Sequence, residues 1–143
     1  MIRRIDDHVS VAPQISADEV AAIAQAGYAE IVNNRPDDEE AGQPSGAEIA
    51  AAAEAAGIKY RAVPVGHAGF SGNQVEAMAS ALTAAAGPVL AFCRSGTRSA
   101  HLWALARARM GDDPGMLTAK AADAGYDLNG IRAMLDTLAS GTR

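Results

Sequence analysis

Short runs of apolar residues alternate along the chain with longer segments in which apolar positions recur at helical spacing. Four of the apolar runs predict β-strands, over residues 9–12, 28–32, 58–65 and 89–92. Helices are predicted between and after them, over about 16–25, 45–56, 71–86, 99–110, 113–124 and 129–138. Strands that alternate with helices of this length are typical of an α/β fold, so we expect a mostly parallel sheet with helices on both faces.

The first three predicted helices share a start signal. Ser16, Ser45 and Ser71 each stand three residues before Glu or Gln, which is the pattern of a capping box. Gly27 and Gly57 follow the first two helices, where glycine commonly ends a helix. No repeat or long linker interrupts the pattern. A chain of 143 residues fits one compact unit, so we expect residues 1–143 to form a single domain.

The last predicted strand runs directly into Cys-Arg-Ser-Gly-Thr-Arg-Ser, residues 93–99, at the start of a helix. Free N–H groups at a helix start, together with the helix dipole, bind anions and favour the thiolate form of cysteine. The sequence therefore predicts that Cys93 is a nucleophile facing an anionic substrate, rather than an inert buried thiol. Arg98 is expected to hold two substrate oxygens, and Gly96 to allow a tight turn whose N–H groups point inward.

The other residues of this loop leave alternatives open. Ser99 is expected to donate its hydroxyl to the thiolate or to cap the helix. Arg94 is either a substrate contact or an outward-facing charge that steers anions. Ser95 and Thr97 are either substrate contacts or turn residues.

Composition narrows the function classes. The net charge of −5 argues against a nucleic-acid-binding surface, and a single cysteine excludes both an intrachain disulfide and a cysteine cluster for zinc. The three histidines show no metal-ligand spacing. A lone free thiol suits a reducing compartment, and no apolar run reaches the length of a signal peptide or a membrane span. We expect a cytoplasmic protein without cofactor, metal, nucleic-acid or membrane partner.

Further motifs accompany the cysteine loop: the turn Asn33-Asn34-Arg35-Pro36, the helix start at residues 42–45 and the segment 63–65. Together, from about residue 5 to residue 138, they resemble the bacterial family of beta-lactamase-hydrolase-like phosphatase domains, which is also labelled a sulfur transferase family. The resemblance implies a fold similar to that of dual-specificity phosphatases, with a central sheet of four or five strands.

The two labels imply different chemistry. Protein tyrosine phosphatases place five residues between cysteine and arginine, whereas residues 94–97 supply four, as in the similar loops of single-domain rhodaneses. Phosphatases of this fold also carry an aspartate on the loop after the preceding strand, and it protonates the leaving alcohol. Residues 66–71 hold no carboxylate, so that His67 is the one side chain there that could donate a proton.

We therefore expect first a rhodanese-type sulfurtransferase. In this interpretation a Cys93 persulfide, formed from thiosulfate or another persulfide, passes its sulfur to a thiol or cyanide acceptor. The alternative is a phosphomonoester hydrolase that forms a phosphocysteine at Cys93. A third interpretation is a non-catalytic module that binds an anion or sulfane sulfur.

Two more charged regions lie near the predicted site. Arg35 is expected to pair with Glu39 or Glu40 rather than to bind an anion, because charged loop residues commonly pair with one another. The acidic run 37–40 is expected to be a solvated loop. His67 is expected either at the edge of the site or as an exposed loop residue.

Overall fold

The computed structural model describes residues 1–141. The strands are β1 (Arg3–Arg4), β2 (Val9–Ala12), β3 (Glu30–Asn33), β4 (Lys59–Ala62) and β5 (Val89–Phe92). The helices are α1 (Ala17–Gln25), α2 (Gly46–Ala56), α3 (Gly72–Ala84), α4 (Thr97–Arg109), α5 (Pro114–Asp123) and α6 (Arg132–Gly141), with a 3₁₀ turn at Asn129–Ile131 before α6.

The strands form one sheet in the order β1-β2-β5-β3-β4, in which β1 is antiparallel to β2 and the other pairs are parallel. Ala12 of β2 and Asn33 of β3 both lie opposite Phe92 of β5, and Ala62 of β4 lies opposite Asn33. The four parallel strands therefore end at the same edge of the sheet. The loops that follow them, including the cysteine loop after β5, leave from that edge.

The sheet separates two apolar cores. Leu90 and Phe92 of β5 pack with α1 and α2 on one face, whereas Val89 and Ala91 pack with the core formed by α3 to α6 on the other. All four side chains are buried. A central parallel strand that is covered on both faces reads as a continuous apolar run, which explains why β5 could be predicted from its sequence. The predicted mixed α/β architecture is confirmed.

The differences from the prediction concern strand ends and the sheet edge. β1 was not predicted, because two exposed arginines carry no apolar pattern. β4 ends at Ala62, three residues before the predicted end, although the N–H groups of Val63 and Val65 still donate to the carbonyls of Asn33 and Asn34. Pro64 between them has no N–H and interrupts the regular ladder.

The predicted helix starts are largely confirmed. Ser16 and Ser71 form complete capping boxes with Glu19 and Gln74. The Ser45 hydroxyl also accepts the N–H of residue 48 at 3.1 Å, so this start is capped as well. Within residues 1–141, no helix is long and apolar enough to cross a membrane.

Candidate active site

The cysteine loop begins where β5 ends and is anchored to the neighbouring β2 strand. The Cys93 N–H donates to the Ala12 carbonyl at 3.3 Å, and the Gln14 N–H donates to the Arg94 carbonyl at 3.3 Å. Gly96 then adopts a left-handed conformation, with φ of +92°, and α4 begins at the next residue. Gly96 is the N-cap of α4 and provides no side-chain cap.

The sulfur of Cys93 lies inside this loop. Its Sγ accepts a hydrogen bond from the Gly96 N–H at 3.1 Å, and the side chain has no exposed surface. This N–H is directed at the sulfur from the start of α4. Because the sulfur is fully covered, a substrate can reach it only after a neighbouring group shifts.

Arg98 approaches the same sulfur from the first turn of α4. Its Nη1 and Nη2 donate to the two carboxylate oxygens of Glu39 at 2.7 and 2.8 Å, and Nη1 also donates to the Val65 carbonyl at 2.6 Å. Glu39 is the main reason that the pKa of Arg98 is raised, and the negative charge of Cys93 contributes to the same shift. The guanidinium is thus held in one orientation beside the nucleophile.

Glu39 lies between two arginines. Arg98 and, to a smaller extent, Arg35 lower the pKa of its carboxyl from 4.5 to about 2, against the opposing effect of burial. Arg35 Nε donates to Glu39 Oε1 at 2.9 Å, and Arg35 Nη1 donates to Gln14 Oε1 at 3.1 Å. The predicted pairing of Arg35 with Glu39 or Glu40 is confirmed for both, since Arg35 Nη2 also lies 3.7 Å from Glu40 Oε1. The shorter pair, with Glu39, fixes the carboxylate that orients Arg98.

Ser99 differs from both of its expected roles. Its buried hydroxyl donates to Asn34 Oδ1 at 2.8 Å, so it neither caps α4 nor donates to the thiolate. Asn34 in turn donates through Nδ2 to the Val63 carbonyl and through its backbone N–H to the Phe92 carbonyl. This network joins the ends of β3 and β5, the segment after β4 and the first turn of α4, and therefore holds the cysteine loop in place.

The chain can be compared with known proteins on this basis. A family model described as beta-lactamase hydrolase-like protein, phosphatase-like domain, matches residues 1–110. The chain belongs to this family. A beta-lactamase hydrolase-like protein of Xylella fastidiosa (strain Temecula1) is 38% identical over 101 residues, which are 71% of this chain and 23% of the relative. The chain therefore spans about a quarter of the length of the curated relatives that it matches.

Solved structures agree with the family. The crystal structure of a candidate phosphatase from Neisseria meningitidis Z2491 is 36% identical, with a TM-score of 0.82 over 96% of this chain and 97% of that one. Tk-PTP in its active form is 17% identical, with a TM-score of 0.77 over 97% of this chain and 96% of that one, and shows the fold alone. The predicted dual-specificity-phosphatase-like fold is confirmed. These matches support a phosphatase-like domain.

The remaining residues of the loop in this phosphatase-like domain are exposed. Arg94 is 67% exposed and pairs with Glu40 at 3.2 Å, as expected of an outward-facing charge. The hydroxyl of Ser95 donates to that of Thr97 at 3.1 Å, and both residues are exposed. The contact between Ser95 and Thr97 is typical of turn residues. A contact of Arg94, Ser95 or Thr97 with substrate remains a prediction.

His67 lies at the rim of the site. Its side chain is 89% exposed, and Nε2 is 3.8 Å from Oε2 of Glu39. His67 is therefore an exposed loop residue that also lies at the edge of the site, next to the carboxylate that holds Arg98. Within residues 1–141, no group of three or more His, Cys, Asp or Glu side chains is arranged to hold a metal ion.

Two residues of the site were missed by sequence reasoning. The prediction that the whole run 37–40 is solvated is wrong for Glu39, whose side chain is 13% exposed and bonded to two arginines. Tyr126, in the turn after α5, places its phenol against Gly96 of the cysteine loop. The signal for Glu39 was indirect, because two arginines at the carboxyl edge of a buried sheet require an anionic partner.

Proposed function

We propose that this domain is a cysteine-dependent phosphomonoester hydrolase. The observation that carries the proposal is the set of hydrogen bonds by which Glu39 and the Val65 carbonyl hold the Arg98 guanidinium. Glu39 and the Val65 carbonyl occupy three of the five guanidinium N–H groups, and no described oxygen accepts from the remaining two, on Nε and Nη2. These two N–H groups lie on one edge of the guanidinium, and such an edge matches two oxygens of a phosphoryl group. Arg98 also hydrogen-bonds the Cys93 side chain, which contributes to its raised pKa.

The reaction has two steps in this proposal. The Cys93 thiolate attacks phosphorus, the bond to the ester oxygen breaks, and the leaving alcohol takes a proton from a side chain at the rim. Water then attacks phosphorus, the sulfur–phosphorus bond breaks, and inorganic phosphate leaves with the thiolate restored. Arg98 and the N–H groups of the loop stabilise the charge on the phosphoryl oxygens in both steps.

His67 is the proton donor in this proposal. It is the ionisable side chain of the loop after β4, and it lies 3.8 Å from the Glu39 carboxylate that orients Arg98. Its exposed position allows it to exchange a proton with solvent between turnovers.

Replacing His67 by glutamine is expected to lower kcat for phenyl phosphate by about tenfold to 100-fold, because phenolate leaves poorly without a proton. The loss for 2,4-dinitrophenyl phosphate should be less than about threefold, since this leaving group needs no proton. Steady-state kinetics with both esters measure the difference. His101→Gln is the matched control, because the His101 ring lies next to the Asp127 carbonyl, away from Glu39. Equal losses for the two esters would remove His67 from the proton-donor role.

Sulfur transfer is the second candidate, favoured by two features of the sequence. The loop has four residues between Cys93 and Arg98, and the segment 66–71 has no carboxylate. Transfer of sulfane sulfur from thiosulfate releases sulfite, which needs no strong proton donor. A Cys93 persulfide would then pass its sulfur to a thiol or to cyanide.

One parallel assay separates the two candidates. The purified protein is given 4-nitrophenyl phosphate in one reaction and thiosulfate with cyanide in the other, and intact mass is recorded after thiosulfate alone. The phosphatase proposal expects release of 4-nitrophenol that vanadate blocks, without a stable gain of one sulfur atom. Thiocyanate formation and a gain of one sulfur atom, without phosphate release, would instead establish sulfur transfer.

A further inference from the structure

Tyr126 lies against the cysteine loop from the turn that follows α5. A Cβ atom added to Gly96 would collide with the Tyr126 hydroxyl and lie 3.1 Å from its Cζ. The phenol thus occupies the direction that a side chain at position 96 would take. The N–H of the same glycine donates to the Cys93 sulfur. Tyr126 therefore touches the backbone of the loop at the residue that contacts the nucleophile.

The position of this phenol is fixed by its surroundings. The Tyr126 N–H donates to the Ala121 carbonyl at 2.8 Å, after a left-handed Gly125. Arg3 of β1 donates to the Ala124 carbonyl at 3.2 Å and packs against Gly125. The ring is 9% exposed and belongs to the core between α4, α5 and α6. A group held in this way needs little reorganisation to bind a ligand.

The hydroxyl of Tyr126 is free to donate. Within residues 1–141 no group hydrogen-bonds it, whereas the Tyr28 hydroxyl donates to Ser10 Oγ and the Tyr60 hydroxyl accepts from Asn33 Nδ2. Burial, and to a smaller extent the negative charge of Cys93, raise the pKa of Tyr126 despite the opposing charge of Arg3. The phenol therefore keeps its proton near neutral pH.

One backbone donor of the cysteine loop is taken by the nucleophile itself. It contains four residues between Cys93 and Arg98, and the N–H of Gly96 is already directed at the sulfur. We propose that the Tyr126 hydroxyl donates a hydrogen bond to the oxyanion bound in this loop and so acts as a further substrate-binding residue. The identity of that oxyanion as a phosphoryl group rests on the proposed function. Residue 126 lies beyond the segment 1–110 that matches the family model.

Tyr126→Phe tests this inference, because it removes the hydroxyl and keeps the ring. The readout is protection of Cys93 from alkylation by iodoacetamide, measured by intact mass in the presence of increasing inorganic phosphate. We expect the phosphate concentration for half protection to rise about tenfold or more in the variant, since a hydrogen bond to a charged group is lost. Tyr28→Phe and Tyr60→Phe are the matched controls and should protect like the wild type.

Each other outcome has a distinct meaning. Unchanged phosphate protection in Tyr126→Phe would overturn the inference. Faster alkylation without anion, together with unchanged protection, would overturn it as well, since the phenol would then cover the sulfur rather than bind the anion. Absence of protection by phosphate and by thiosulfate in the wild type would also overturn it. Protection of the wild type without hydrolysis of 4-nitrophenyl phosphate would end the phosphatase proposal, while the comparison of variants would still decide the role of Tyr126.

Discussion

Replacing Cys93 by serine is expected to abolish hydrolysis of 4-nitrophenyl phosphate, with a loss of at least about 10⁴-fold in kcat. A cysteine thiolate is a far stronger nucleophile at neutral pH than a hydroxyl group. A serine hydroxyl keeps its proton at the same pH and is a poor nucleophile toward phosphorus. The Gly96 N–H, 3.1 Å from the sulfur, would face a neutral oxygen in the variant. Initial rates at substrate saturation measure the effect.

The matched control for this variant is Ser80→Ala, which removes an exposed hydroxyl from α3. Its rate should stay within about threefold of the wild type, because surface substitutions of this kind change little. Since Cys93 is the one cysteine of the chain, the serine variant contains no thiol. Retention of more than about one hundredth of the wild-type rate by a thiol-free protein would exclude sulfur as the nucleophile.

The parts of the site that could be predicted depend on local sequence. The apolar run of β5, the cysteine directly after it and the glycine that turns the chain into α4 are adjacent in sequence, and each acts within a few residues. The capping boxes at Ser16 and Ser71 are also local features, because each serine hydroxyl accepts the N–H of a residue only three positions ahead. Such a contact does not depend on distant segments of the chain. Such features were predicted close to their observed bounds.

The parts that could not be predicted depend on contacts between distant segments. Glu39 and Arg98 are 59 positions apart, and nothing in the run Asp37-Asp38-Glu39-Glu40 distinguishes the one side chain that turns inward. Ser99 shows the same limit, since its hydroxyl meets Asn34 from a loop 65 positions away rather than the thiolate six positions before it. Sequence spacing identifies which residues carry chemistry, whereas the fold decides which partner each one finds.

β1 and Tyr126 could not be predicted for another reason, which is that their residues follow no recognisable sequence pattern. Arg3 and Arg4 are two exposed charged residues, yet their backbone pairs with β2 at the sheet edge. Tyr126 follows a glycine in a turn, as many surface tyrosines do. Their connection appears only in three dimensions, where Arg3 holds the turn that places the phenol against Gly96.

Replacing Glu39 by glutamine is expected to lower kcat/KM for 4-nitrophenyl phosphate by about 100-fold, because Arg98 loses the carboxylate that fixes its orientation. Glutamine keeps one oxygen acceptor but directs an amide N–H₂ at a guanidinium that can only donate. It also leaves the buried Arg35 with the half-exposed Glu40, 3.7 Å away, as its charged partner, so the free energy of unfolding at pH 7 should fall by about 2 kcal/mol. Kinetics and urea unfolding at the same pH measure both effects.

The pH dependence of this stability difference follows from the carboxyl group itself. The pKa of Glu39 is lowered from 4.5 to about 2 in the folded protein, so its ionisation stabilises the fold above pH 4.5, and this contribution is lost as the pH falls toward 2. The gap between wild type and Glu39→Gln in unfolding free energy should therefore narrow over that interval. Glu40→Gln is the matched control, because Glu40 is 51% exposed and lies farther from Arg35, at 3.7 Å, than Glu39 does, at 2.9 Å. A gap that stays constant between pH 7 and pH 3 would show that the Glu39 carboxylate does not stabilise the fold through its charge.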